Sequence, residues 1–270
     1  MGAARETGHQ IAPRLLGAWT ALVCVYIVAP LAAMFAVSVT PLDYISLPKN
    51  GLSLRWYARL LQQSQFFDSG WNSVLLALEA TATALVLGTL SSLAIVRYRF
   101  AGREVVRLTV TSPLFIPMVM TGLAILIFSS AVGWGSEPSR LYIGHCALTL
   151  PYAVRAISAS LTGFDLNQEL AARNLGASPL KAFLLVTLPQ LRPGLVAGAI
   201  FAFIVSFDNV GLSIFLTGAT YKTLPVELLS HIENDNDPMS AALSVVMVVL
   251  SMAIVLLAER VVGLQRLVRG

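Results

Sequence analysis

Two carboxylates stand where a carboxylate is costly. Asp208 is the one charged residue in the stretch 193–221, and Glu79 the one in 69–96; both stretches are otherwise uncharged and mostly apolar. An acid at the middle of a membrane helix costs about 2.5–3.5 kcal/mol on insertion scales, so it is kept for function or for a partner. Ser206 and Asn209 make the surroundings of Asp208 polar, and the chemistry on offer is attraction of a cation. For Glu79 two readings stay open: a place on the same pathway, or a pairing with a polar group of a neighbouring helix. Arg155 lies near one end of a third such stretch and can snorkel to the interface. No other cluster suggests chemistry. His9, His145 and His231 have no second His at i+3 or i+4, and Cys24 and Cys146 sit in apolar runs as packing residues. The sequence has no G-x-x-x-x-G-K-[ST] phosphate loop, no G-x-S-x-G elbow and no H-E-x-x-H. A process driven by nucleotide hydrolysis would need its motor on another chain.

The elements that must hold these acids follow from the distribution of charge. Of 270 residues 56% are apolar and 12% charged, about half the charge of an ordinary soluble domain. The net charge of +4 is scattered in short clusters, which argues against a nucleic-acid surface. Residues 15–42, 108–136 and 238–258 carry no charge, and 141–164 carries only Arg155. About 20 apolar residues cross a hydrocarbon core, so six transmembrane helices are expected at 15–39, 72–96, 108–131, 141–161, 193–213 and 239–258. The runs 84–87 and 245–250 do not alternate as barrel strands do, so the fold class is all-α integral membrane. The first apolar run is nearly twice the length of a signal-peptide core and reads as a retained helix.

Lys and Arg set the expected orientation. With the N-terminus in the cytoplasm, thirteen of them fall on inner segments (Arg5, Arg14, Arg97, Arg99, Arg103, Arg107, Arg155, Arg173, Lys181, Arg192, Arg260, Arg266, Arg269). Five fall outside, at Lys49, Arg55, Arg59, Arg140 and Lys222, which is a positive-inside bias with both termini cytoplasmic. Asp208 is then about 22 Å from the inner face and Glu79 about 12 Å from the outer one, so both can face one cavity. Trp56, Tyr57, Trp71 and Trp134 are expected in the outer aromatic belt. The outer loop 222–238 holds Glu227, Glu233, Asp235 and Asp237 against Lys222. It reads as a solvated loop, a concentrator of cations or a contact for a partner. Gly194 and Gly198 give a G-x-x-x-G, read as packing against a second membrane subunit.

The longest inner connection, 163–189, has its own grammar. Asn167 is expected to cap a short helix 168–175, and Gly176 to end it in a left-handed conformation. Ser178 is a second N-cap with Pro179 at the first helical position, and the helix it opens is expected to stop at Pro189. Leu180, Phe183 and Leu184 form an apolar edge on that second helix. Ala171 and Ala172 keep the first helix slim.

The run Ala171-Ala172-x3-Gly176, followed by Leu188-Pro189, resembles the "EAA" signature of type I ABC importer permeases. The family has Glu directly before the alanines; here Leu170 stands there and Glu169 one residue earlier. The stretch 206–210 (Ser-Phe-Asp-Asn-Val), the later 223–226 (Thr-Leu-Pro-Val) and the pair Asn72-Ser73 are similar to the spermidine/putrescine branch. The resemblance covers about 71–264. It implies an N-terminal cytoplasmic segment 1–14, a first helix and outer loop 15–71, a permease core 72–258 with coupling loop 163–189, and a cytoplasmic tail 259–270. It implies a bacterial inner-membrane, multi-pass subunit in the lipid bilayer that is not an enzyme and holds no cofactor of its own. ATP and Mg would be bound by a partner ATPase, present in two copies, beside a second related permease (a heterodimer) and a periplasmic or surface binding protein. Glu169, Ala171, Ala172, Gly176, Ser178, Pro179, Leu188 and Pro189 would form the ATPase-coupling loop, and Asp208, Asn209, Ser206 and Glu79 the solute pathway. The cargo would be a polyamine or related cation. Rival readings are the same machine for a neutral, anionic or amino-acid-derived solute, a secondary transporter, or a membrane-embedded enzyme.

Overall fold

The computed structural model describes residues 3–49 and 51–262. Arg266, Arg269 and the tail beyond Val262 lie outside the described residues, as do the side chains of Arg5 and Arg14. Among the described residues there are helices and no strands. The chain divides into two compact units, one drawn from Met1–Gln63 and His231–Val249, the other from Ser64–Ser230 and Leu250–Gly270.

In the first unit, α1 (Ala3–Ser38) begins at Ala3, so residues 3–14 are helical and continuous with the first apolar run. After it, α2 (Arg55–Leu60) packs by Trp56, whose indole N–H donates to the Thr40 carbonyl at 3.0 Å. Trp56 is only 1% exposed, with Arg55 and Arg59 stacked at 4.6 and 4.8 Å from its ring centroid. It is therefore a core residue of this unit and does not belong to an interfacial belt; two cations satisfy its π faces. Trp71 and Trp134 are exposed as the belt reading expects.

The second unit is built on α3 (Ser64–Arg97). It continues through α4 (Arg103–Thr111), α5 (Met118–Ala131), α6 (Glu137–Thr162), α7 (Leu166–Asn174), α8 (Pro179–Ala182), α9 (Leu188–Gln190), α10 (Arg192–Phe207) and α11 (Ser213–Leu216). Helix α12 (Leu224–Asn234) and helix α13 (Met239–Val262) complete the chain. Helices α3, α6 and α10 pack on one another around Ala84, Ala153, Ile157, Leu161, Leu191 and Ala202. Small residues make the approach possible. A Cβ at Gly88 would lie 3.0 Å from that of Ala153, and one at Gly194 2.8 Å from the Ala156 carbonyl oxygen. A Cβ at Gly198 would lie 3.3 Å from the Ala153 Cα. The G-x-x-x-G of α10 is thus spent on α6 of the same chain, and its expected use against a second subunit is corrected. Hydroxyls add interhelical bonds, from Ser92 to the Val154 carbonyl (3.1 Å), from Ser158 to Ser92 (3.1 Å) and between Thr83 and Tyr142 (2.7 Å). Each is worth about 0.6 kcal/mol in a bilayer, so close van der Waals packing carries more of the association.

Two expected spans are broken. Between α4 and α5 a 3-10 turn at Ser112–Leu114 and the non-helical 115–117 bend the path by 103°, where Pro117 lacks an N–H and restricts Ile116. The fifth span ends at Phe207 instead of 213, and the chain unwinds before α11. Among the described residues Leu16–Ser38, Ser64–Arg97 and Met239–Leu257 are each long and apolar enough to cross a membrane, and the number is five where each of two bent pairs is counted as one span. Helix α6, counted as a span from its low charge, is not among them; Tyr142, His145, Tyr152 and Arg155 dilute its apolar run.

Candidate functional site

Three groups of polar side chains organise the second unit. The first gathers at the C-terminal end of α3. Asp165, two residues before the expected cap, is the residue that caps α7: its carboxylate accepts from the Asn167 N–H at 2.9 Å. Asn167 therefore lies inside the helix rather than capping it. Gly176 has φ +92° and turns the chain with its Cα facing open space. Ser178 then accepts from the Lys181 N–H, with Pro179 at the first helical position. The helix does not stop at Pro189. It widens into a π turn at Phe183–Thr187 and runs on to Gln190, because the extra residue of a π turn re-aims the chain before the proline.

That widening directs Thr187, fully buried, at Glu169. The Thr187 hydroxyl donates to Glu169 Oε2, and the same oxygen accepts from Arg97 Nη1 at 2.7 Å. Arg97 Nη2 reaches Thr187 Oγ1 at 3.3 Å, and its guanidinium lies 5.3 Å from the Phe164 ring centroid. Arg97 and Glu169 are 13% and 15% exposed, so this is a largely covered ion pair. Burial opposes ionisation of Glu169, but the hydrogen bonds from Thr187 and Arg97 and the Arg97 charge outweigh it and hold the carboxyl below its ordinary range. Gln190 donates to Gln168 across the same gap. Leu170 and Leu175, by contrast, are exposed, Leu175 by 90%.

The second group surrounds the unwound segment after α10. Asp208 terminates the helix and its side chain is exposed. Ser206 and Asn209 are buried and already engaged. Ser206 Oγ lies 2.7 Å from His145 Nδ1, and His145 Nε2 lies 3.0 Å from Ser213 Oγ. Asn209 Oδ1 accepts from the Leu212 N–H at 2.9 Å, and its amide reaches Met118 Sδ at 3.2 Å. Of the residues expected on a pathway, Asp208 and Glu79 thus present open carboxylates, while Ser206 and Asn209 shape the segment that presents Asp208. His145 is the residue that sequence reading missed. Its sole signal was an imidazole inside an otherwise apolar run, and its serine partners lie 61 and 68 positions away.

The third group fastens the N-terminal end of α3 to the loop before α12. Asn72 donates to the Lys222 carbonyl (3.2 Å), Ser73 Oγ accepts from the Leu224 N–H (2.7 Å), and the Tyr221 hydroxyl meets the Asn72 carbonyl (3.4 Å). The two short signatures at 72–73 and 223–226 are therefore two halves of one latch. Glu137 holds the same loop, accepting from Thr220 Oγ1 at 3.0 Å and the Tyr221 N–H at 3.2 Å. The Tyr221 phenol is pushed up by burial and by the Glu79 charge. Beside it lies a polar cavity of about 280 Å³ bordered by Asp68, Asn72, Thr220, Lys222 and Glu227. The acids of the following segment are partly committed: Glu227 pairs with Lys222 at 3.0 Å, and Asp235 and Asp237 flank His231 at 3.2 and 2.9 Å.

A helix–Gly–helix hairpin tied through Glu169 and Arg97 to a bundle of broken apolar helices coincides with a family match. Residues 84–266 match the model of the binding-protein-dependent transport system inner membrane component. The chain belongs to this family. As a member of the inner membrane components it is a multi-pass membrane protein and a transport subunit rather than an enzyme. It is 30% identical over 245 residues to the spermidine/putrescine transport system permease protein PotC of Haemophilus influenzae, covering 91% of this chain and 95% of that one. It is 33% identical over 201 residues, 72% of each chain, to the putrescine transport system permease protein PotI of Escherichia coli K12. A bacterial alginate ABC transporter, in complex with its pentasaccharide-bound periplasmic protein, shares the fold with TM-score 0.69 at 13% identity, over 94% of each chain.

Proposed function

We propose that this subunit forms half of the translocation pathway of an ATP-driven importer for polyamines or a related cationic solute. The observation that carries the reading is Asp208, a carboxylate left open where α10 unwinds, in a chain whose relatives over most of its length are named as polyamine permeases. A half-helix end beside unwound backbone is the arrangement transporters use to meet a solute near mid-membrane. Glu79 adds a second open negative charge from α3. Both termini lie in the cytoplasm, and the loop 163–189, with Ala171, Ala172, Gly176, Ser178, Pro179, Leu188 and Pro189, is the surface on which the ATPase docks. Two ATPase subunits carry ATP and Mg, a second permease closes the pathway, and a binding protein delivers the solute from outside.

One relative favours a different cargo. The molybdenum transport system permease protein ModB of Escherichia coli is 28% identical over 223 residues, 74% of this chain and 96% of that one. An oxyanion would be repelled by Asp208 and Glu79, so the cationic reading stands ahead.

Docking is tested with single cysteines at Ala171 and Ala177. Each is expected to cross-link to the ATPase in the assembled complex and to change its yield with nucleotide state. Failure of both to cross-link in every nucleotide state would contradict the assignment of the loop.

A further inference from the structure

Helix α3 is an unbroken rod of 34 residues, about 50 Å long, with no proline. Its two ends are held by different loops. The N-terminal end is latched to residues 222–224 through Asn72 and Ser73. The C-terminal end carries Arg97, which a helix C-terminus favours, and Arg97 meets Glu169 from α7 and Thr187 from the π turn. Glu169 lies in the first turn of α7, which favours an acid. The three partners belong to three elements on both sides of Gly176, and Oε2 of one carboxylate accepts from both of the others. The hairpin is thus joined to α3 by a covered, charge-assisted network as well as by the chain.

We propose that the Arg97–Glu169–Thr187 cluster is the joint through which displacement of the coupling loop moves α3, so that Glu169 is a positioning residue acting inside this chain and makes no contact with the ATPase. The proposal rests on the functional reading above. It follows from where the carboxylate points. Glu169 is turned inward and satisfied, whereas Leu170, Arg173, Asn174 and Leu175 are exposed at the tip and left for a partner. Displacement at the tip then bears on α7 and on the helix after Gly176 together, both reach Arg97, and the rod carries the motion to the latch at 222–224. Without the joint, the tip can shift with the ATPase while α3 stays where it is.

The test uses the reconstituted complex with its ATPase and binding protein, and reads solute moved per ATP hydrolysed. Glu169→Gln, which keeps shape and removes charge, is expected to keep the ATPase attached and to lower that ratio about fivefold. Thr187→Val leaves the ion pair in place and is expected to lower it less. The exchanged pair Arg97→Glu with Glu169→Arg is expected to exceed either single variant, which a merely structural loss at two sites would not do. The proposal is overturned by a wild-type ratio in Glu169→Gln, by loss of the ATPase from that variant, or by an exchanged pair no better than its singles. Absence of ATP-driven uptake in the wild-type complex would instead count against the functional reading.

Discussion

Asp208→Asn is expected to lower uptake of a triamine at least tenfold while the subunit still inserts and still binds its ATPase. Tenfold is about 1.4 kcal/mol. That lies within the range for one unit-charge contact at about 4 Å, from about 1 kcal/mol in water to about 4 near a protein surface. The substitution keeps volume and lowers the insertion penalty, so folding should not suffer. The exposed side chain of Asp208 supports that separation, since no hydrogen bond or ion pair is recorded for it among the described residues. Asp208→Glu should be milder, because the charge survives on a longer arm. Loss for a diamine should be smaller than for a triamine, which leaves more positive charge unmatched. Uptake into proteoliposomes at fixed binding-protein concentration measures all three. Wild-type transport by Asp208→Asn would make the residue structural and move the pathway to Glu79 or to the partner permease.

The second large effect is expected at Gly176. With φ at +92° and open space around its Cα, the position forbids a β-branched residue by backbone strain and not by collision. Gly176→Val should cost about 1–2 kcal/mol, an equilibrium factor of roughly 5–30 against the observed turn. The two short helices would then lose their mutual angle, and hydrolysis should continue with little transport. Gly176→Asn is the control, since Asn visits the left-handed region at low cost. Equal transport by the Val and Asn variants would show that the handedness of the turn is irrelevant.

The contrast between these two sites explains how far the sequence could be read. The hairpin was legible because its signals are local: Ser178, Pro179 and Gly176 each act on backbone within four residues of themselves. The error there was also local, with Asp165 and Asn167 both able to cap and two positions apart. The interior of the spans was less legible. A charge-free run from 108 to 136 reads as one helix, and only the combination of Pro113 and Pro117 with a neighbouring unwound strand of backbone turns it into two. Ser206 and Asn209 looked like companions of Asp208 because they are polar and adjacent. Their partners, His145 and Met118, are 61 and 91 residues away and belong to other helices. Glu169 raised the same difficulty, since Arg97 lies 72 positions earlier. Trp56 looked interfacial by type, while its burial depends on Thr40 and two stacked arginines.

The central claim is that this chain admits a cationic solute through a pathway powered by a separate ATPase. The most direct measurement is uptake of labelled spermidine by proteoliposomes holding the full complex, with binding protein outside and ATP inside. Spermidine should accumulate against its gradient only with both present, with molybdate and neutral amino acids failing to compete. Accumulation without ATP, or accumulation of molybdate in place of spermidine, would contradict the account.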